Sequence, residues 1–134
     1  MPWIEDVISL LEAGSVGSYG STIFKTSKAS VPAGDGPFTS VTETGGSGTE
    51  ETHNEVTDPA YHMPGAQVLV RGKDVAATRA KARAAYRALR ITNRTVNSVW
   101  YRKIRALHEP RDLGLDPQGR IQFVVNVVGD KSFS

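Results

Sequence analysis

The chain has 134 residues, of which 39% are hydrophobic and 22% charged, and it contains no cysteine. This length and composition predict one globular domain with its own core. The lack of cysteine excludes disulfides, thiolate zinc sites and cysteine nucleophiles. The N-terminal segment MPWIEDVISLLEAG lacks the basic start of a secretory signal, and no apolar run approaches the ~20 residues that cross a bilayer. We therefore expect a soluble protein made in the cytoplasm, with no membrane partner.

The net charge of +2 conceals a strong segregation of charge along the chain. Residues 1–60 contain two lysines and nine acidic residues, whereas residues 61–111 contain twelve Lys and Arg and two acidic residues. Residues 112–134 contain two basic and three acidic residues. Three interpretations are open: nucleic-acid affinity of the basic half, complementarity between copies of the chain, or neutralisation of the two halves within one fold.

Residues 2–13 have the periodicity of an amphipathic helix. Its apolar arc contains Trp3, Ile4, Val7, Ile8, Leu10 and Leu11. Pro2 lies near the first turn and Gly14 follows the last turn, and these are the positions that Pro and Gly favour at helix ends.

Two strands are predicted next, at residues 22–26 and 38–44, with a Gly- and Pro-rich turn at 33–37 between them. Residues 45–58 are rich in Gly, Ser and acidic residues and almost devoid of apolar ones. We expect them to form a long mobile acidic loop, because loops of this length in a compact domain are usually functional or disordered.

Residues 66–71 (AQVLVR) predict another strand, and Asp74 is a suitable N-cap for a helix over residues 75–90. The inward stripe of this helix is predicted to contain Val75, Thr78, Ala82, Ala85, Tyr86 and Leu89. A basic ridge flanks that stripe and consists of Arg79, Arg83, Arg87 and Arg90. An alanine face is predicted opposite the core and consists of Ala77, Ala80, Ala84 and Ala88.

The last two predicted strands are residues 99–107 and 120–128. Between them, residues 116–119 (DPQG) place Asp, Pro and Gly where a type I turn favours them. The predicted element order is α-β-β-β-α-β-β. It indicates a single α+β domain over residues 1–134, with a mostly antiparallel sheet of four or five strands and two helices packed on one face.

The sequence contains no pattern typical of a catalytic, metal or cofactor site. Helical i, i+4 pairing and HExxH spacing are absent around all three histidines, His53, His62 and His108. No GxSxG elbow is present, and no GK[ST] follows the glycines at 14, 17 and 20. We therefore predict no catalytic residue, no metal and no cofactor, and expect a protein that is not an enzyme.

Two surfaces of the second helix point to binding instead. The basic ridge could contact phosphates, and Trp100 and Tyr101 beside Arg102 and Lys103 suggest base stacking on a sheet face. No RNP-like, KH or helix-turn-helix pattern accompanies them. The alanine face permits close approach by another element and indicates a subunit contact. The high helix propensity of alanine explains the same face without any partner.

An ordered series of motifs resembles a family of tailed-phage proteins. The series consists of YHMPGAQVLVRG at 61–72, the Ala- and Arg-rich helix, TNRTVN at 92–97, the strand VWYRKI at 99–104, EPRDLG at 109–114 and GRIQFVVNV at 119–127. Members of this family are labelled minor capsid or tail completion proteins, and they are similar to the tail terminators of long-tailed phages (siphophages). The N-terminal helix fits the usual opening of the family, whereas residues 45–58 match no pattern in it.

The resemblance implies a structural virion protein that forms a ring, typically a homohexamer, at the head-proximal end of the tail. Such a ring ends polymerisation of the tail tube protein and contacts the head-tail connector protein, and genomic DNA passes through its lumen without sequence readout. The protein would be in the host cytoplasm during assembly and in the virion afterwards. A basic nucleic-acid-binding module or another oligomeric adaptor is the alternative.

The segregation of charge suggests which residues meet in such a ring. Closure requires a heterologous contact, in which one patch of each copy meets a different patch of the next. Our candidate interface residues are Arg79, Arg83, Arg87 and Arg90 of the basic ridge, Ala77, Ala80, Ala84 and Ala88 of the alanine face, and the acidic Glu50, Glu51 and Glu55.

Overall fold

The structure is a computed structural model, and it describes residues 3–25, 36–44 and 61–132. In chain order its elements are α1 (Trp3–Ala13), β1 (Ile23–Lys25), β2 (Phe38–Thr44), β3 (Tyr61–His62), β4 (Gly65–Gly72), α2 (Val75–Ala88), β5 (Ile91–Val96), β6 (Val99–Ala106), β7 (Arg111–Leu115) and β8 (Ile121–Ser132). The acidic loop expected at 45–58 and most of the turn expected at 33–37 lie outside the described residues.

The predicted α+β class is confirmed, but the predicted number and order of strands are wrong. The described residues form one sheet of eight strands rather than four or five, and the additional strands are β3, β5 and β7. β5 and β7 lack apolar alternation because most of their side chains face solvent. β5 is instead defined by its hairpin with β6, whose turn residues Asn97 and Ser98 both have positive φ, 49° and 69°, as a type I′ turn requires.

The strands follow the order β1-β2-β4-β8-β6-β5, with β1 parallel to β2 and the other pairings antiparallel. β8 lies at the centre and pairs with β4 along one edge, where Ala66 is opposite Val127. Along its other edge, β7 pairs with residues 121–124 and β6 with residues 127–131. β6 and β7 therefore form one interrupted strand along this edge of β8. A turn then connects β7 to β8.

That turn lies at residues 116–119, where the sequence predicts it. The Gly119 N–H donates to the Asp116 carbonyl oxygen at 2.9 Å, which is the closing bond of a β-turn, and Gly119 has a φ of 79°. The Asp116 side chain also accepts the N–H groups of Gln118 and Arg120 at 3.0 and 2.9 Å. The turn is thus stabilised by its own first residue.

Both helices pack on the same face of the sheet and enclose the hydrophobic core with it. The core includes Trp3, Val7 and Leu11 of α1, Ala82 and Ala85 of α2 with the following Leu89, and Ala66, Val68, Val70, Phe123 and Val127 of the sheet. These sheet residues alternate along β4 and β8, and alternate residues of a strand share one face. The core therefore lies between the two helices and one side of the sheet.

Close contacts at both ends of α1 hold it in this layer. At its start, the Trp3 Nε1–H donates to the Gly65 carbonyl oxygen at 2.9 Å. Just after its end, a Cβ on Gly14 would lie only 2.6 Å from the Ala88 Cβ of α2. Small residues at 14 and 88 therefore allow the two helices to meet.

Candidate functional site

Helix α2 carries most of the residues that the sequence selects for binding. It begins after Asp74, whose side chain accepts the N–H groups of Ala76 and Ala77 at 3.0 and 3.3 Å, as predicted for an N-cap. Val75 was predicted to face the core but is 44% exposed, so that prediction is wrong. The first core-facing side chain of the helix is Thr78, which means that the packed face begins one turn later.

Two arginines of the basic ridge lie over aromatic rings. The Arg79 guanidinium is 5.8 Å from the centre of the Phe123 ring, and that of Arg90 is 5.2 Å from the centre of the Tyr86 ring. Such cation–π contacts hold a long side chain in place without neutralising its charge. Tyr86, predicted to be part of the inward stripe, is half-buried beneath Arg90.

The other two arginines of the ridge are exposed and differ in their partners. Arg83 forms an ion pair with Glu109, with 3.5 Å between Nη1 and Oε1. An exposed pair of this kind contributes ~0–1 kcal/mol. Arg87 has no acidic side chain of the described residues within ion-pair distance. The ridge therefore retains most of its positive charge at the surface.

The alanine face does not lie opposite the core as predicted. Ala84 packs against the core, and Ala88 meets Gly14 at the end of α1. Ala77 is half-buried and Ala80 is exposed. The close approach that these small residues permit is thus made partly by α1 of the same chain, which leaves Ala77 and Ala80 as the candidates for contact with another copy. The acidic candidates Glu50, Glu51 and Glu55 lie outside the described residues.

A cationic cleft, which the sequence does not reveal, opens beside the end of α2. It has a volume of about 400 Å³ and is lined by Arg87, Arg90, Ile91, Thr92, Lys103, Ile104 and Arg105. Four of these seven residues are basic and none is acidic. Two of the basic residues belong to the predicted ridge, but the other two come from β6, which only the tertiary fold brings alongside α2.

The aromatic pair that suggested base stacking is divided by the fold. Tyr101 is fully buried, whereas Trp100 is partly exposed. The Tyr101 hydroxyl donates to the carboxylate of Asp6, which also accepts from Asn97 Nδ2 at 2.9 Å. Burial and the hydrogen bond to Asp6 raise the pKa of Tyr101 above its usual range. Tyr101 cannot stack on a base, and the network joins α1 to the β5–β6 hairpin as part of the fold.

Strand β7 is the most exposed element of the described structure. All five of its residues are exposed, and Leu113 and Leu115 are 49% and 66% exposed. At its base, the chain between β6 and β7 is held to β8 by His108, whose Nε2 lies 3.0 Å from Asn126 Nδ2, and by the Leu107 N–H, which donates to the Asn126 carbonyl oxygen at 2.8 Å. β7 and its turn thus form an exposed arm with apolar side chains.

The tip of this arm is stabilised by charge. The Asp116 carboxylate accepts from Arg120 Nε at 2.8 Å and lies 4.0 Å from Arg71 Nε of β4. Burial alone would raise the pKa of Asp116, but the hydrogen bonds from Arg120 and Gln118 outweigh it and lower that pKa. The contacts of Asp116 with Arg120 and with Arg71 therefore hold the turn of the arm against the rest of the fold.

Within residues 3–25, 36–44 and 61–132, no group of three or more His, Cys, Asp or Glu side chains could hold a metal ion. No helix of that part of the chain is long and apolar enough to cross a membrane. The surface of that part of the chain includes the cationic cleft, the basic ridge and the exposed arm.

The sequence matches one family model over most of its length. The model is described as bacteriophage tail terminator protein, and it covers residues 10–128, which include the end of α1, all of α2, the cationic cleft and the arm. The comparison with curated proteins gives no match.

Proposed function

Because this chain belongs to the bacteriophage tail terminator family, we propose that it forms a ring, typically of six copies, at the head-proximal end of the tail tube. Family members are structural components of the virion. In our proposal the ring ends polymerisation of the tail tube protein and presents its opposite face to the head-tail connector. Genomic DNA passes through the lumen without sequence readout, and assembly takes place in the host cytoplasm.

The exposed arm is the observation that carries this proposal. A ring requires that each copy reach a different surface of its neighbour. β7 pairs with β8 along one edge, and no described strand pairs with its other edge. Exposed leucines on a strand with an open backbone edge favour burial against another chain. We assign Leu113 and Leu115 to the contact with the next copy.

Charge complementarity supports a second part of the same contact. The described residues contain 15 Lys and Arg and nine acidic residues, while the rest of the chain contains one lysine and five acidic residues. Arg79 and Arg83 of the basic ridge of one copy, and Glu50, Glu51 and Glu55 of the next, are therefore our candidates for the charged rim.

Sedimentation velocity on the full chain, alone and with assembled tail tubes, tests the proposal. The wild type should form a ring-sized species or sediment with the tubes. Leu113→Ser combined with Leu115→Ser should abolish both, since it removes the apolar contact. The matched control is Val75→Ser, an exposed apolar residue outside the arm, which should assemble normally. A wild-type chain that stays monomeric and does not sediment with the tubes would contradict the proposed ring.

A charge-reversal pair tests the contribution of the ridge. Arg79→Glu combined with Arg83→Glu, two exposed ridge residues outside the cationic cleft, should weaken the oligomer and make it more sensitive to salt, because exposed charges are screened at high ionic strength. Lys73→Glu, an exposed site off the ridge, serves as control. If the double variant forms the same ring as the wild type, the basic ridge is not part of the interface.

A further inference from the structure

The cationic cleft concentrates positive charge that the rest of the described structure does not neutralise. Arg87 lies in the last turn of α2, Arg90 follows the helix, and Lys103 and Arg105 belong to β6. None of these four forms an ion pair with an acidic side chain of the described residues. The carbonyl end of α2 offsets only about half a unit of charge. A strong binding potential for anions therefore remains in the cleft.

The positive charge continues beyond this cleft in both directions. A neighbouring depression of about 200 Å³ shares Arg87 and Arg90 and adds Arg94 of β5. A second one, of about 140 Å³, shares Lys103 and Arg105. The acidic residue in that second depression, Asp130, is already paired with Arg102. The result is an elongated track around the β5 edge of the sheet rather than a pocket for one small ion.

The spacing of the track suits a repeating anion. Lys103 and Arg105 are two residues apart on β6, so their side chains share one face about 7 Å apart, a separation comparable to that of successive phosphates on a DNA strand. Arginine guanidinium groups and lysine ammonium groups commonly contact phosphate oxygens. The Thr92 hydroxyl beside them is a further donor.

The cationic cleft has few of the side chains that anchor a protein partner. Protein interfaces depend on apolar or aromatic anchors at their centre. The cleft has only Ile91 and Ile104 as apolar lining, and Ile104 is buried. One large exposed apolar side chain, Leu107, lies next to the track, in a depression of about 310 Å³ that Arg105 also lines. The others in the described residues are Tyr19, Val75, Trp100, Leu113 and Leu115, and none of them lines the cleft. The cleft itself is thus lined mainly by charged side chains, whereas the exposed leucines of the arm lie outside it.

We propose that the cationic cleft and its two continuations bind the phosphate backbone of double-stranded DNA without reading its sequence. The contacts are charge–charge and hydrogen-bonding contacts to phosphate oxygens, made by Arg87, Arg90, Lys103 and Arg105, with Arg94 at one end. This inference does not depend on ring formation, because every residue of the track belongs to one copy.

Fluorescence anisotropy with the full chain and a labelled duplex two helical turns long tests the proposal. Two duplexes of unrelated sequence should bind equally, and affinity should fall steeply between about 50 and about 200 mM salt. Lys103→Ala combined with Arg105→Ala should weaken binding about tenfold and reduce the slope of log K against log salt by about 1.8, or about 0.9 for each phosphate that the variant no longer neutralises. Both residues are exposed, and thermal unfolding should show that the variant folds normally.

Lys73→Ala combined with Arg111→Ala is the matched control, since it removes the same charge at exposed sites outside the track. It should change the affinity less than about twofold. If both double variants lose the same affinity, the effect depends only on net charge and the proposal is wrong. It is also wrong if the wild-type chain binds no duplex at low salt. Tighter binding of labelled polyglutamate than of duplex DNA would also overturn it and assign the cleft to an acidic protein instead.

Discussion

The indole ring of Trp3 lies directly against the backbone of Gly129. A Cβ built on Gly129 would be 2.7 Å from Trp3 Cζ3 and 2.9 Å from Cη2. Trp3 is fully buried, and its Nε1–H is satisfied by the Gly65 carbonyl oxygen. The absence of a side chain at one position of β8 therefore allows α1 to dock on the sheet.

Replacing that glycine should destabilise the fold. Gly129→Ala places a methyl group in space that the indole already occupies, and overpacking of this kind costs about 1–3 kcal/mol of unfolding free energy. Urea denaturation of the variant measures the loss. In a Trp3→Phe background the smaller ring should leave room for the methyl group, so the cost of Gly129→Ala should shrink there. Equal costs in the two backgrounds would show that the indole is not the cause.

The buried carboxylate of Asp6 should make the Tyr101 hydroxyl important for stability. Tyr101→Phe removes a donor to that carboxylate, and an undersatisfied buried group costs about 1–3 kcal/mol of unfolding free energy. Tyr86→Phe is the control, because that ring is half-buried and no hydrogen bond of its hydroxyl is observed among the described residues; it should change stability by less than about 0.5 kcal/mol. Similar losses in both variants would remove the special role of the Asp6–Tyr101 bond.

Stability at acid pH should depend on Asp116. Folding lowers the pKa of this carboxyl below its ordinary value of 3.8, so its stabilising effect is fully present above that pH and is lost as the pH falls through the folded pKa. Asp116→Asn should therefore lower the melting temperature at neutral pH and flatten its decline below about pH 4.

The matched control for this carboxyl is Gln118→Ala. It keeps the backbone N–H that Asp116 accepts and changes only a side chain that contacts Arg120. It should retain the wild-type dependence of melting temperature on pH. Parallel acid profiles for wild type and Asp116→Asn would show that another group governs this range.

The N-cap of α2 should contribute measurably to the fold. Asp74→Ala leaves the N–H groups of Ala76 and Ala77 without their side-chain acceptor. The expected loss is about 1 kcal/mol of unfolding free energy, measured by urea denaturation. Lys73→Ala, one residue earlier and exposed, should have almost no effect. A wild-type midpoint for Asp74→Ala would mean that solvent satisfies these groups equally well.

Local signals predicted the elements whose side chains are buried on one face or whose turns need special residues. The apolar arc of α1, the Asp74 cap and the turn at 116–119 are all found where the sequence places them. β5 and β7 escaped prediction because strands with solvent-facing side chains carry no apolar alternation. Their existence depends on hydrogen bonds to β6 and β8, which the pattern within a single element does not report.

The same division applies to the functional surface. The sequence by itself determined the class of fold, the positive charge of α2 and the resemblance to tail proteins, since these depend on composition, on spacing within one element and on the order of motifs along the chain. Only the tertiary structure decided that Ala88 faces Gly14 rather than a neighbouring copy, and that Arg87 and Arg90 share a cleft with Lys103 and Arg105. The reason is physical: periodicity reports which face of an element is buried, whereas the packing of distant elements determines which side chains meet.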